Sequence, residues 1–195
     1  MEIEQLEIEG AFVVTPRVFG DDRGEFYEWF KADPFAEGVG HPLTLAQANC
    51  SVSSKGTLRG IHYSDVPPGQ AKYVACLSGA VLDVIVDLRV GSATFGQWVS
   101  VQMAASAPRL VYLSEGLGHG FIALEPASVV VYLCSTTYNP SAEHEIDPFD
   151  PVLAIDWGVS KEQTVLSAKD AAAPSLLEAQ RAGSLPDYQI CRSYL

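Results

Sequence analysis

The sequence predicts an all-β protein in which short strands form a sandwich or a barrel. Its middle part is a succession of short apolar runs separated by glycine, proline and serine. Some of these runs alternate apolar and polar residues, which is the period of a half-buried strand. Many short strands at close spacing are typical of sandwiches and barrels.

The clearest strand covers 81–89. Positions 82, 84, 86 and 88 are apolar, whereas Asp83, Asp87 and Arg89 occupy the alternate face. This alternation predicts a strand with one polar side. Similar runs predict strands over 58–63, 98–103, 110–113, 120–124 and 129–136, with turn signals at 89–92 and 114–116.

Helical signals are few and lie mainly near the C-terminus. The segment 174–183 begins with Pro174 and ends with Gly183, the usual asymmetry of helix ends. A second, weaker signal covers 31–38, where Pro34 would occupy an early helical position. We therefore expect a β protein with a few short helices.

Composition limits the classes of protein that this chain can be. Its 195 residues, 48% of them hydrophobic, suit one domain over 1–195 with a substantial core. No apolar run approaches the length of a membrane span, and the acidic N-terminus does not resemble a signal peptide, so we expect a cytoplasmic protein with no membrane partner. A net charge of -12 argues against a nucleic-acid partner, because binding a phosphate backbone needs clustered lysine and arginine.

The four cysteines are widely spaced and form no C-x-x-C pair. Buried free thiols are therefore favoured over disulfides in a cytosolic chain. The residues concerned are Cys50, Cys76, Cys134 and Cys191.

Positive charge is concentrated between Arg59 and Lys72, in a chain that is otherwise poor in it. Arg59 and His62 are three residues apart and would face opposite sides of a regular strand. Gly60 lies between them, and a glycine inside a strand often marks a bulge that re-aims its neighbours. We therefore predict a bulge at Gly60.

Each histidine can be weighed separately, since the chain has only four. His62 is the strongest candidate for a general base, because the charge of Lys72 would favour a neutral imidazole. His119 lies between two glycines that would let a ligand or backbone approach, so structural and functional roles are equally open. His41 and His144 lie in loop-like segments and are expected at the surface.

A metal site is disfavoured. The usual cupin-type arrangement has two histidines one residue apart, whereas this sequence has Ser64 two residues after His62. Lys72 stands where an acidic ligand would be wanted, and an ammonium group repels a divalent cation. An anion is a better ligand, because Arg23 and Arg59 could hold a pyrophosphate, although Arg23 could also form a loop ion pair with the two preceding aspartates.

These residues resemble the dTDP-4-dehydrorhamnose 3,5-epimerase family, and the resemblance runs nearly end to end. The matching segments, in order, are Asp22-Arg23-Gly24 with Phe26 and Glu28, Gln47 to Ser53, Leu58 to Tyr63, Gln70 to Tyr73, Gly91-Ser92 with Thr94 to Gly96, Gly118 to Phe121, Tyr132, Tyr138 to Pro140 with Glu143, Asp150-Pro151 and Leu166 to Asp170.

The resemblance implies a cupin-type β jelly roll, usually a homodimer, that uses no metal or organic cofactor. It implies an isomerase whose substrate is a dTDP-linked 4-keto-6-deoxyhexose. By the same resemblance His62 matches the general base, Asp170 its carboxylate partner and Tyr132 the acid on the opposite face of the sugar. Lys72 and His119 match residues around the sugar and its keto oxygen, and Arg23 and Arg59 match the residues that bind the pyrophosphate. Other substrate-contact positions are Glu28, Gln47, Asn49, Tyr138, Glu143 and Lys169.

The residue types suit the implied chemistry. Inverting a carbon next to a ketone requires removal of its proton, storage of charge as an enolate and return of a proton on the other face. An imidazole oriented by a carboxylate can act as the base. An ammonium such as that of Lys72 can stabilise the oxyanion, and a phenol such as that of Tyr132 can supply the proton. Tyr132 would share one strand face with Val130 and Cys134, and Leu133, where many relatives carry a polar residue, would point away.

The sequence leaves the regiochemistry open. Inversion at C3 and C5 is the main hypothesis, and inversion at one carbon only, as in antibiotic-sugar relatives, uses the same base and acid. A sugar-nucleotide-binding protein without chemistry is a further alternative, but it has no need for a paired base and an opposing acid. A metal-dependent cupin oxygenase is disfavoured by the missing ligand.

Overall fold

The computed structural model describes residues 1–195 and is built from two facing antiparallel sheets. The strands are β1 (Glu2–Gln5), β2 (Ala11–Thr15), β3 (Val18–Asp21), β4 (Gly24–Tyr27), β5 (Gln47–Ser53), β6 (Leu58–Ser64), β7 (Lys72–Ser78), β8 (Ala80–Asp87), β9 (Trp98–Ala104), β10 (Leu110–Leu113), β11 (Leu117–Ala123), β12 (Ser128–Cys134) and β13 (Glu143–Glu145). The first sheet has the order β1-β2-β10-β7-β12-β5, the second has the order β13-β6-β11-β8-β9, and β3 and β4 form a separate hairpin.

The interior between the sheets is apolar at one end. Val74, Val111 and Val130 of the first sheet meet Ile85 and Phe121 of the second, and all five are at most 4% exposed. Burying each such side chain contributes about 1.5–3 kcal/mol relative to exposure. This core fixes the spacing of the sheets and therefore of any polar residues that continue the same strand faces.

The outer face of each sheet is also covered. The C-terminal part of the chain lays Trp157 and Leu176 over Val84 and Val86 of the second sheet. α1 (Ala32–Val39) covers the first sheet, and its Phe35 packs edge-on against the ring of Tyr73 at 5.6 Å. The two covered sheets form the β jelly roll that the resemblance implies, which confirms the predicted fold class.

Because the outer face of the second sheet is covered, the two sides of the strand predicted over 81–89 are both buried. Leu82, Val84 and Val86 of β8 pack beneath the C-terminal segment, whereas Asp83 and Asp87 point between the sheets, on the same face as Val81 and Ile85. Asp87 is fully buried with Arg89, whose Nε donates to Asp87 Oδ1 at 2.8 Å. The polar side of this strand is thus an interior face and not a solvent face.

The predicted helices are present. α3 (Leu176–Ala182) begins after Ser175, which forms a capping box with Glu178, and ends at Gly183 in the left-handed conformation. α1 begins one residue later than predicted and contains Pro34 in its first turn. Two four-residue helices, α2 (Ala168–Ala171) and α4 (Tyr188–Cys191), and 3-10 turns at Lys161–Gln163 and Arg192–Tyr194 complete the C-terminal part. None of the helices has the length and apolar character needed to cross a membrane.

The predicted bulge at Gly60 is confirmed. In the pairing of β6 with β11, His119 lies opposite His62, whereas Phe121 lies opposite Arg59, so β6 holds one extra residue. Gly60 has φ +117°, a backbone conformation that favours glycine. The bulge brings Arg59 and His62, which a regular strand would separate, to the same face of the sheet.

Other expectations need correction. The strand predicted over 120–124 begins earlier, at Leu117, because Gly118 and Gly120 fit where Ile61 and Leu88 approach the backbone closely. All four cysteines are free thiols as predicted, three of them buried, but Cys50 is exposed. His41 and His144 are partly exposed, the His144 side chain by 30%, and their rings pack against Tyr112 and Tyr63.

Candidate active site

A histidine of β6 and a carboxylate of α2 are in direct contact. His62 Nε2 lies 2.6 Å from Asp170 Oδ1, and the Asp170 side chain is only 4% exposed. Ser167 holds the carboxylate in place, since its hydroxyl donates to Asp170 Oδ2 at 2.9 Å and accepts from the Asp170 backbone N–H. Burial alone would raise the pKa of Asp170, but its hydrogen bond with His62, the charge of His62 and the Ser167 hydroxyl outweigh burial and lower it. The carboxylate is therefore kept ionised beside the imidazole.

A buried ammonium group lies at the start of β7. Lys72 is 8% exposed and lies opposite Cys134 in the pairing of β7 with β12, on the interior face of the first sheet. Burial lowers the pKa of Lys72, whereas the negative charges of Glu143 and Asp83 act in the opposite direction. A lysine side chain is thus buried inside the protein, where nearby carboxylates favour its charged form.

A second histidine and carboxylate lie next to the first pair. His119 of β11 is directly opposite His62, and its Nε2 lies 2.8 Å from Asp83 Oδ2. Asp83 is 1% exposed, and its other oxygen, Oδ1, has no partner. Burial raises the pKa of Asp83, while His119 and Lys72 oppose that rise. Asp83 therefore contacts His119 directly and is also influenced by the charge of Lys72.

Tyr132 faces these groups from the first sheet. It lies opposite Asn49, packs against the interior core and shares its face with Val130 and Cys134, as predicted. Leu133 points to the opposite face of the sheet, where it packs in one cluster with Phe35 and Tyr73, also as predicted. Burial raises the pKa of the Tyr132 phenol, as do the neighbouring negative groups, whereas the charge of Arg59 lowers it. The phenol is therefore held in its protonated form.

Polar side chains continue the site towards its rim. Gln47 Nε2 donates to Asn49 Oδ1 at 2.8 Å, and the Tyr138 backbone N–H donates to Gln47 Oε1 at 2.8 Å. Arg59 Nε donates to Ser53 Oγ at 3.2 Å. Glu143 accepts a hydrogen bond of 2.8 Å from Ser64, two residues after His62.

Three of the predicted site residues have other surroundings. Arg23 lies on the exposed hairpin of β3 and β4, its side chain 90% exposed, and forms an ion pair of 2.5 Å with Asp21. Glu28 follows that hairpin and pairs with Lys31 at 3.3 Å. Lys169 pairs with Glu145. Within one chain, the structure does not bring Arg23 and Glu28 to the interior residues.

Two residues of this site escaped the sequence analysis. Asp83 was visible as a charged residue in an apolar strand, but only the paired register shows that it meets His119. Ser167 was visible three residues before Asp170, the spacing of a helix cap. No three His, Cys, Asp or Glu side chains come close enough together to bind one metal ion.

The arrangement is chemically competent for moving protons at carbon. An imidazole paired with an ionised carboxylate lies on one sheet, a protonated phenol lies on the other, and a buried ammonium lies beside them. Such a set can accept a proton, stabilise an oxyanion and donate a proton from a different direction.

Comparisons with known proteins show which chains this one is similar to. Residues 5–178 match the sequence model described as dTDP-4-dehydrorhamnose 3,5-epimerase. The chain is 50% identical over 195 residues to the dTDP-4-dehydrorhamnose 3,5-epimerase of Mycolicibacterium smegmatis, covering 100% of this chain and 96% of that protein. It is 51% identical over 193 residues to the dTDP-4-dehydrorhamnose 3-epimerase of Streptomyces niveus, covering 99% of this chain and 92% of that protein.

A solved structure is similarly close. It is that of ChmJ, a 3'-monoepimerase from Streptomyces bikiniensis in complex with dTDP-quinovose. The two chains superpose with a TM-score of 0.93 at 47% identity, covering 96% of this chain and 94% of that one.

Proposed function

This chain belongs to the dTDP-4-dehydrorhamnose 3,5-epimerase family, and we propose that it inverts C3 and C5 of a dTDP-4-dehydro-6-deoxyhexose. It is an isomerase. The observation that carries the proposal is the 2.6 Å contact of His62 with the buried Asp170, placed across the interior from Tyr132. A protein that only binds sugar nucleotides needs no such pair.

His62 is the proposed general base. Protons on the carbons next to the 4-keto group are acidic because their removal gives an enolate. Asp170 would fix the orientation of the imidazole and stabilise the imidazolium that forms when the proton is taken. Positioned acid and base groups of this kind contribute about 10²–10⁴-fold each to a rate.

Lys72 and His119 are the proposed partners of the enolate oxygen. Both are buried on the interior face, and Asp83 contacts His119. A preorganised donor in a water-excluded site is worth about 2.7–4 kcal/mol of transition-state stabilisation. Asp83 is proposed to position His119 through the 2.8 Å contact.

Tyr132 is the proposed acid. It projects from the sheet opposite to the one that carries His62, so a sugar ring held between the sheets would receive its new proton on the other face. The raised pKa of the phenol keeps its proton available at neutral pH. Return of a proton from that side inverts the carbon.

The nucleotide end of the substrate is proposed to bind at the rim, where Arg59 would contact the pyrophosphate and further contacts would come from Gln47, Asn49, Tyr138, Glu143 and Lys169. Arg23 and Glu28 are proposed to act in a homodimer, in which the exposed hairpin of one subunit reaches the site of the other. The exposed apolar side chains Phe19 and Phe26 of that hairpin, 49% and 66% exposed, support this arrangement. We propose a single-domain enzyme of the cytoplasm, whose substrate chemistry needs no cofactor because side chains supply every step.

A mono-epimerase is the second candidate, since the 51% identical relative is named a 3-epimerase. The test is incubation with dTDP-4-dehydro-6-deoxyglucose in deuterated water, followed by mass and NMR analysis of the product. Deuterium at both C3 and C5 is expected. Deuterium at one carbon only would contradict double inversion and support the second candidate.

A further inference from the structure

The proposed catalytic carboxylate is carried by a short piece of structure. Asp170 lies in α2, a helix of only four residues in an otherwise irregular part of the chain. A backbone bridge between Thr57 and Val165 anchors the segment before α2. A side chain held on so short a helix needs further support if its carboxylate is to keep one position.

Glu145 provides that support through Lys169. Its carboxylate forms an ion pair with Lys169, the residue that directly precedes Asp170. The Glu145 side chain is 14% exposed, so the pair is partly shielded from water, which makes it stronger than an exposed pair. The hydrogen bond between Lys169 and Glu145 raises the pKa of Lys169, so that Lys169 keeps its charge.

The position of Glu145 in the sheet links it to the proposed base. In the pairing of β13 with β6, Glu145 lies directly opposite His62, and both residues occupy the same face. The ion pair therefore ties the helix that carries Asp170 to the strand neighbour of His62. Both ends of the 2.6 Å His62–Asp170 contact are held by this connection.

We propose that Glu145 is a positioning residue, which uses its ion pair with Lys169 to hold Asp170 against His62. The inference rests on the proposed function. It assigns Lys169 a second role besides the substrate contact proposed above. The two roles make different predictions, because a lost substrate contact raises KM, whereas a displaced carboxylate lowers kcat.

The experiment compares Glu145→Gln and Lys169→Met with the wild-type enzyme by steady-state kinetics. Displacement of a reacting group by about 1 Å can cost about 10²-fold, and we expect each variant to lose about 10-fold in kcat. KM of Glu145→Gln should be unchanged, and the double variant should be no slower than the slower single variant, since both changes break one pair. Lys169→Arg keeps the charge of the pair and should recover part of the kcat that Lys169→Met loses.

A second measurement separates positioning from general loss of structure. In an Asp170→Asn background, Glu145→Gln should have no further effect on kcat, because the group that it positions is gone. Lys161→Met is the matched control. The Lys161 side chain is 51% exposed, against 54% for Lys169, and it forms an ion pair of 3.8 Å with Asp147, not with a residue of this site. It should leave kcat and KM unchanged.

Three results would overturn the inference. They are a wild-type kcat in Glu145→Gln, the same loss from Glu145→Gln in the Asp170→Asn background, and a change of KM alone in Lys169→Met with no effect of Glu145→Gln. A wild-type enzyme that leaves the substrate unlabelled in deuterated water would instead contradict the proposed function itself. The two failures are therefore distinguishable.

Discussion

Replacing Gly60 by alanine tests whether the bulge in β6 sets both stability and the position of His62. A Cβ at Gly60 would lie 2.5 Å from Gly120 Cα and 2.6 Å from the His119 carbonyl oxygen. These are backbone atoms of the neighbouring strand, so neither can move aside without shifting β11. The residue also has φ +117°, which an alanine adopts only with strain.

The expected destabilisation follows from these two terms. Backbone strain at such a φ costs about 1–3 kcal/mol, and forcing an extra methyl group into a packed site costs about 1–3 kcal/mol more. The free energy of unfolding should therefore fall by about 2–6 kcal/mol, which corresponds to a Tm lower by roughly 4–24 °C at 2–4 °C per kcal/mol. Because His119 faces His62 across this bulge, kcat should also fall by about 10-fold or more.

The assay is urea unfolding together with kcat, using Gly91→Ala as the control. Gly91 also has a positive φ, +92°, but a Cβ there would meet nothing nearer than Tyr188 Cβ at 3.9 Å. It should show the strain term alone and keep wild-type kcat. Equal destabilisation of the two variants, or full activity of Gly60→Ala, would refute the reasoning about the bulge.

Three further predictions concern the proposed acid–base groups. Asp170→Asn should lower kcat by about 10²–10⁴-fold. It should also make the free energy of unfolding depend less on pH in acid. The lowered folded pKa of Asp170 stabilises the wild-type protein above the unfolded value of about 3.9, and this contribution is lost as pH falls through the folded pKa. Urea unfolding between pH 6 and 3 checks the second point, and an unchanged slope would contradict it. Lys72→Met should lower kcat by about 10²–10³-fold yet raise Tm, since burial lowers the pKa of Lys72 and so opposes folding of the charged form; a lower Tm in calorimetry would contradict this. Tyr132→Phe should still exchange substrate protons in deuterated water while giving little inverted product, and inversion at the wild-type rate would exclude Tyr132 as the acid.

Much of the fold was readable because local signals agreed with the global structure. The alternation over 81–89, Ser175 with Gly183 around α3, and Gly60 inside β6 each have a local physical cause, and each was predicted correctly. The strands before residue 58, β7 and β13 were not predicted. Strands such as β3 and β4 are short and exposed, so they carry no apolar alternation that could reveal them.

The site was harder to predict because it depends on pairing across long separations. His62 and Asp170 are 108 residues apart, and no periodicity within either segment indicates their contact. The sequence indicates that Asp83 belongs to a polar strand side, and only the covered outer face of the second sheet shows that this side points inward. Family resemblance supplied the grouping of His62, Asp170 and Tyr132, whereas the partners Ser167 and Asp83 came from the structure.

Deuterium uptake by His62→Gln tests the central claim, abstraction of a carbon-bound proton by His62, most directly. The variant is incubated with dTDP-4-dehydro-6-deoxyglucose in deuterated water, and label at C3 and C5 is followed by NMR beside the wild-type enzyme. We predict that wild-type enzyme labels both carbons, whereas His62→Gln, with an unchanged Tm, labels neither at more than about 1% of the wild-type rate. Label entering at the wild-type rate in His62→Gln would contradict the account, because another group would then be the base.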